Sequence, residues 1–200
     1  MRCPPDGVYL PMGAVGRASH SWWAMIILIC VDMTIFGSFL FAHLHVSMAS
    51  DVCPPAGAAL PAAPWPWAVS ALLLAGSALV AYARRRLDAA RGQRLVRGLV
   101  ILGMLCMAGS LAAMLAGHRL AGLDPTAQAW SATVSALLFY QAFHAVVLLL
   151  MGGYVCVRSW SGKLRPAARA TLDNTALLWH CVTVQGLVAT GLVHLLPLWL

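Results

Sequence analysis

Long runs of apolar residues alternate with short polar connections along the whole chain. A helix needs about 20 residues to cross a hydrocarbon core of about 30 Å, and five runs reach or approach that length. The pattern therefore predicts an all-α integral membrane bundle of five transmembrane helices, in a single domain that covers residues 1–200. Because the connections are short, we expect neighbouring helices to run antiparallel. The predicted spans cover residues 22–44, 67–83, 99–116, 130–157 and 176–198.

The composition and the placement of charge agree with a membrane protein. The chain is 61% hydrophobic and 10% charged, whereas a soluble domain carries about 25% charged residues. The positive charge is concentrated in two connections, residues 84–97 and 158–173. This is the pattern of cytoplasmic loops, and it requires no nucleic-acid partner. The N-terminal segment also leans positive, so we expect the N-terminus inside and the C-terminus outside.

Ionisable residues inside the predicted spans are the candidates for function. Asp32 lies near the middle of the first span, where a charged side chain costs about 2.5–3.5 kcal/mol to insert. His144 lies mid-way along the fourth span with Tyr140 one turn before it, and His180 follows Trp179 in the fifth. A carboxylic acid can hydrogen-bond an imidazole or a tyrosine hydroxyl on another helix. We interpret these residues as a structural polar cluster; a proton-related role, a lipid-headgroup contact and cofactor ligation stay open as alternatives.

The spacing of cysteine and histidine predicts neither a metal site nor a catalytic residue. The six cysteines occur singly, with no Cys-x-x-Cys pair, and we interpret them as small hydrophobic residues. His43 and His45 point to different sides of one helix, so they are not expected to bind one metal together. A haem in the outer leaflet, between His43 or His45 and His194, stays open as an alternative. The sequence contains no HExxH motif and no nucleophile elbow, so we expect no catalysis by this chain alone.

Three segments give the chain a resemblance to subunit III of the haem-copper respiratory oxidases, in the five-helix form of that family. Residues 22–36 (WWAMIILICVDMTIF) match a helix led by glycine and aromatic residues, with a buried Glu followed by an apolar pair and Phe. Residues 143–145 (FHA) match Phe-His-Gly, which a second His follows in the family. Residues 178–183 (LWHCVT) match Tyr-Trp-His-Phe-Val-Asp. The order and spacing of the three agree with the family, and the likeness covers about residues 20–198.

The chain departs from the family pattern at four of these positions, which makes it a divergent member. Asp32 replaces the intramembrane Glu and retains a carboxyl group on a shorter side chain. Ala145 replaces the Gly, and Val147 lies where the second His is expected. Thr183 replaces the final Asp. Several polar partners that are usual in the family are therefore absent here.

The resemblance implies a non-catalytic subunit of a respiratory oxidase that takes part in aerobic electron transport. Such a subunit binds the catalytic large subunit and the other subunits, and supports their assembly, their stability and the proton-uptake side of the catalytic subunit. No cofactor is expected in this chain, whereas haem and copper are expected in the partner subunit and phospholipid on the surface. Asp32 would be the counterpart of the carboxylate that faces the neighbouring subunit or a lipid. The expected location is a bacterial-type inner (cell) membrane.

Three other functions are compatible with the same residues. One is a subunit III-like accessory protein of a nitric oxide reductase, whose large subunit shares the haem-copper fold. Another is a haem-binding electron-transfer bundle, which predicts a haem spectrum from this chain alone. The third is a proton-conducting subunit that uses Asp32 with His144.

Overall fold

The computed structural model describes residues 20–50, 52–55, 57–58, 60–88 and 92–198, and within these ranges it contains helices joined by short connections and no strand. Five of its helices are long and apolar enough to cross a membrane, which confirms the all-α class and the number of candidate spans. The orientation of the termini stays a prediction, and segment 1–19, whose charges contribute to it, lies outside the described residues. The helices are α1 (His20–Met48), α2 (Pro64–Asp88), α3 (Gln93–Leu120), α4 (Ala129–Trp160) and α5 (Ala170–Leu195), with short 3-10 helices at Pro166–Ala168 and Leu196–Leu198.

The helices continue beyond the predicted spans at their polar ends. α3 begins at Gln93 and α5 at Ala170, well before the apolar runs that start at residues 99 and 176. Backbone hydrogen bonds continue regardless of side-chain polarity, and arginine side chains can extend toward water while their stems cover apolar surface. The apolar pattern therefore measures the membrane-crossing length rather than the whole helix.

The centre of the bundle is built around the indole ring of Trp179. This side chain on α5 is fully buried. Three glycines surround it, and a Cβ built on Gly76, Gly103 or Gly152 would lie 3.5, 3.7 or 3.6 Å from the ring. These glycines belong to α2, α3 and α4, so their missing side chains let three helices close around one large aromatic group.

Helices α2 and α3 approach each other at the level of their backbones. A Cβ on Gly76 would lie 3.3 Å from the backbone carbonyl oxygen of Gly103. Further along the same contact, a Cβ on Gly117 would lie 3.0 Å from Cγ of Trp65. Small residues permit this close contact, which in lipid supplies the dispersion energy that holds helices together.

The arginine-rich ends of the helices meet at one end of the bundle. Asp173 of α5 is buried there, with its carboxylate 2.7 Å from Nε of Arg84 on α2. Arg169 donates two hydrogen bonds to the same carboxylate, at 2.7 and 3.0 Å. At this end the guanidinium of Arg97 on α3 also lies 5.1 Å from the centre of the Trp160 ring on α4. The two positively charged connections therefore lie side by side.

Helix α1 lies at the edge of the bundle and packs mainly on α4 and α5. Only Phe36, His43 and Ser47 of α1 are buried. Apolar side chains such as Ile27, which is 62% exposed, cover its other face. Apolar side chains gain little by leaving lipid for another helix, so the position of α1 depends on the few specific contacts that it makes.

Candidate functional site: an intramembrane carboxyl–imidazole cluster

The Asp32 carboxyl group of α1 contacts polar side chains from α4 and α5, the two helices on which α1 mainly packs. Nε2 of His144 lies 2.8 Å from Asp32 Oδ1. The Tyr140 hydroxyl donates to the same oxygen and lies 3.0 Å from the Asp32 backbone carbonyl. Gln185 of α5 donates from Nε2 to Asp32 Oδ2 at 2.7 Å. We call these four residues the Asp32 cluster.

The helical spacing on α4 places two of these side chains on one face. Tyr140 and His144 are one turn apart, and their ring centres are 4.4 Å apart. The Tyr140 ring also stacks on Phe36 of α1 at 6.0 Å and lies 5.3 Å from Phe39. Aromatic contacts from α1 thus fix the phenol, and the phenol and imidazole together fix the carboxyl group.

The hydrogen bonds of His144 determine where its protons lie. Nδ1 is 2.9 Å from the backbone carbonyl oxygen of Tyr140, and a carbonyl only accepts, so Nδ1 carries a proton. In the neutral ring Nε2 then has a lone pair, which cannot bond to a bare carboxylate oxygen. The 2.8 Å contact between Nε2 and Asp32 therefore contains a proton, on either the carboxyl group or the imidazole. The pair has no net charge in either arrangement.

The Asp32–His144 pair is largely buried, so a net charge on it would be costly. The side chains of His144 and Asp32 are 7% and 13% exposed, so water does little to stabilise a charge on either one. A shared proton removes the net charge, and the Tyr140 and Gln185 donors supply the remaining hydrogen bonds. The cluster can therefore connect α1 to α4 and α5, and it can retain a proton at membrane depth.

The other two predicted site residues lie apart from these contacts. The Ser77 hydroxyl of α2 is 2.6 Å from Nδ1 of His180, so this imidazole connects α5 with α2 rather than with α1. Trp179 is a core residue, and its indole Nε1 has no hydrogen-bond partner among the described residues. The structure thus brings Asp32, Tyr140 and His144 together and places the other two elsewhere.

Gln185 is the member of the cluster that sequence reasoning missed. An uncharged amide costs less in a membrane than a carboxylate does, so it attracts no attention as a single residue. It lies two positions after Thr183 on α5 and is 1% exposed. A buried amide in an apolar run needs a partner, and that requirement is the signal that could have identified it.

At the end of the bundle opposite the arginine-rich end, three of the four histidines lie in two separate groups. Nδ1 of His43 is 3.0 Å from the Thr133 hydroxyl, and the His43 ring lies 5.8 Å from the Trp130 ring. His194 pairs instead with His118 of α3, with their ring centres 5.8 Å apart. His45 is exposed.

The fold and the cluster define a multi-pass helical membrane protein with a neutral carboxyl–imidazole pair between its first and fourth helices. Comparison with protein-family models found no match, and a search of curated protein sequences found no significant match.

Proposed function

We propose that this chain is a divergent, non-catalytic subunit III of a haem-copper respiratory oxidase in a bacterial-type inner membrane. The observation that carries the proposal is the contact between Asp32 and His144, at 2.8 Å. These residues belong to two of the three segments on which the resemblance rests, 22–36 and 143–145. Segments far apart in the chain thus share one intramembrane contact, which supports reading them as parts of one motif.

The surface of α1 supports a subunit role. Its apolar side chains Ile27, Val31 and Ile35 are 62%, 53% and 46% exposed. A helix held to its own bundle by a few polar contacts retains a long apolar face for lipid or for a neighbouring transmembrane subunit. In the proposed complex the large subunit and phospholipid occupy this face, and haem and copper belong to the large subunit.

The charged end of the bundle supports the proposed orientation. The connections that carry the arginines meet through the contact of Arg84 with Asp173, at 2.7 Å. Their common position is the arrangement that the positive-inside rule describes for the cytoplasmic side. The N-terminus then lies inside and the C-terminus outside.

The test is to purify the tagged full chain in mild detergent from its own membranes. Companion proteins are identified by mass spectrometry, and a reduced-minus-oxidised spectrum is recorded. The proposal expects a large subunit with haem bands that travel with it. A large subunit of a nitric oxide reductase would support the accessory-protein alternative instead, and haem bands on the isolated chain would support the electron-transfer alternative; either result overturns the proposal.

A pair of variants tests the docking face directly. Ile27→Trp enlarges an exposed side chain of α1 and should reduce recovery of the large subunit. Val157→Trp makes the same kind of change on α4, where Val157 is also 62% exposed, and should leave recovery unchanged. Equal recovery in both variants contradicts docking through α1.

Proton conduction is the second candidate, and the shared proton between Asp32 and His144 favours it. A conducting chain needs a group that accepts and releases a proton at membrane depth, and this pair contains one. In liposomes, Asp32→Asn should then abolish proton flux while leaving the fold intact. Flux equal to that of the unmodified protein would reject this candidate.

A further inference from the structure

A small cavity lies at the end of the bundle opposite its arginine-rich end. Its volume is about 30 Å³, enough for one bound water or ion with its ligands close by. Side chains from four helices, α2 to α5, surround it, among them Trp65, Leu73, Met114, His118, Gln141 and His194. The cavity is separate from the Asp32 cluster, since no residue of that cluster lines it.

Two imidazole nitrogens at this cavity are buried without a hydrogen bond. These are Nδ1 of His118 and Nε2 of His194, for which no described residue acts as donor or acceptor. The His118 side chain is 6% exposed, and its Nδ1 atom is buried away from solvent. A buried polar atom without a partner costs about 1–3 kcal/mol, so two such nitrogens beside one cavity mark a candidate binding site.

The hydrogen bond of the other nitrogen of His194 indicates what kind of ligand would fit. Nδ1 of His194 lies 3.0 Å from the backbone carbonyl of Thr190, so Nδ1 carries the proton and Nε2 has a free lone pair. This is the arrangement of a metal-binding histidine, whose other N–H donates to a carbonyl or carboxylate. His118 also borders an open cleft between α3 and α4, and its ring proton must lie on Nε2 when Nδ1 binds a metal.

The spacing of the two rings agrees with a shared metal ion. A metal bound at about 2.0–2.1 Å from a ring nitrogen lies about 3.2 Å from the ring centre. The ring centres are 5.8 Å apart, and two such distances then enclose an angle of about 130° at the metal. That angle lies between the tetrahedral and linear values and is close to the trigonal one.

The remaining lining residues select the metal. Met114 lies one turn before His118 on α3, is 7% exposed and lines the same cavity. Its thioether is a soft ligand, and two imidazoles with a thioether suit Cu(I). The cavity lining, all of it within the described ranges, includes no Asp or Glu, and a divalent ion in apolar surroundings would lack the anionic ligands that offset its charge.

We propose that His118, His194 and Met114 form a three-coordinate Cu(I) site. The site goes beyond the proposed subunit role and does not depend on it. It also differs from the sequence expectation of no metal in this chain. Among the described residues, no group of three or more His, Cys, Asp or Glu side chains could hold a metal ion; the third ligand proposed here is a methionine.

The test is anaerobic titration of the purified full chain with Cu(I) against a chromogenic Cu(I) chelator. The expected result is one tightly bound Cu(I) per chain, and an X-ray absorption spectrum with two nitrogen neighbours and one sulfur neighbour. His194→Leu should weaken binding by more than the roughly 10–100-fold that loss of a supporting hydrogen bond costs. Met114→Leu should remove the sulfur neighbour while Cu(I) still binds, more weakly.

The matched control is His45→Leu, which removes an exposed histidine of α1 and should leave affinity and stoichiometry unchanged. If His194→Leu does not fold, the absorption spectrum of the unmodified chain decides, since the proposal requires both nitrogen and sulfur neighbours. Failure of the unmodified chain to compete with the chelator would overturn the proposal and leave only a water in the cavity. A coordination shell without sulfur, or equal loss in the control, would overturn it as well.

Discussion

Replacing Asp32 by Asn or by Leu tests whether its side chain stabilises the bundle through hydrogen bonds or through charge. An asparagine there can donate from its amide nitrogen to the Nε2 lone pair of His144, and can accept from the Gln185 amide through its carbonyl oxygen. The Tyr140 hydroxyl can still donate a hydrogen bond to the backbone carbonyl oxygen of residue 32, which lies 3.0 Å away. A leucine fills a similar volume but leaves His144 Nε2 and the Gln185 amide without partners. We therefore expect Asp32→Leu to destabilise the bundle far more than Asp32→Asn.

The size of the effect follows from the two groups that leucine leaves unpaired. Interhelical hydrogen bonds in membranes average about 0.6 kcal/mol and reach about 1.7 kcal/mol. An unpaired buried polar group costs about 1–3 kcal/mol. Because both states lie in an apolar phase, the membrane values apply: two lost bonds should lower the free energy of unfolding by about 1–3 kcal/mol for Asp32→Leu, and Asp32→Asn should lower it by less than about 1 kcal/mol.

The assay is unfolding in mixed micelles with increasing dodecyl sulfate, followed by circular dichroism and tryptophan fluorescence. All helices remain in an apolar phase in both states, so the cost of inserting Asp32 largely cancels. Thr34→Val is the control, because Thr34 is exposed on the same helix. Its hydroxyl donates to the backbone carbonyl of Val31, within α1 itself. Equal losses for the Asn and Leu variants would refute the arrangement in which the carboxyl group carries the shared proton and favour a carboxylate paired with an imidazolium. No loss in either would mean that the cluster does not hold α1.

Three further predictions concern other parts of the bundle. Gly76→Ala should lower the free energy of unfolding by about 1–3 kcal/mol, because its Cβ would lie 3.3 Å from a backbone oxygen of α3 and overpacking moves the helices apart. The control Gly98→Ala has open space around its Cβ and should leave the free energy of unfolding unchanged in the same micelle assay. Asp173→Asn should cost about 1–3 kcal/mol by weakening its contacts with two arginines, and the loss should shrink in high salt; a melting temperature unchanged at low salt would contradict this. In the loop after α3, hydrogen bonds from the Thr126 hydroxyl and backbone N–H lower the pKa of Asp124 from its ordinary value. They therefore stabilise the loop at a pH above the ordinary pKa, and this stabilisation is lost as the pH falls through the lowered pKa. Thr126→Val should raise the Asp124 pKa toward its ordinary range in a carboxyl-carbon NMR titration, and no change would show that the hydroxyl does not contribute.

The helices could be predicted from the sequence because membrane-crossing length leaves a direct record in the apolar runs. Their ends could not, because the hydrogen bonds of the first turns of α3 and α5 do not depend on apolar side chains. Packing was also beyond prediction in detail. Nothing in the spacing of Gly76, Gly103 and Gly152 shows that they meet around Trp179, since each lies on a different helix.

The sequence could identify those site residues whose charged forms are costly to insert in a membrane. Asp32 and His144 are conspicuous because charge is expensive at membrane depth, and the one-turn spacing of Tyr140 puts it on the same face. The partnership with Gln185 depends on the rotation of α5 about its axis, which an apolar run does not encode. For the same reason His180, equally polar in sequence, turns toward Ser77 instead.

The Asp32 cluster and the exposed face of α1 lead to one further expectation for the proposed complex. α1 buries few apolar side chains, so hydrogen bonds at Ser21, Asp32 and His43 fix its position at three heights along the bundle. A partner that binds the free face of α1 therefore depends on those bonds without touching them. Asp32→Leu should reduce stability and partner recovery together, whereas Ile27→Trp should reduce recovery alone, because it alters the outer face and leaves the polar contacts intact. If Asp32→Leu lowered stability while recovery of the partner stayed complete, docking would lie elsewhere on the bundle.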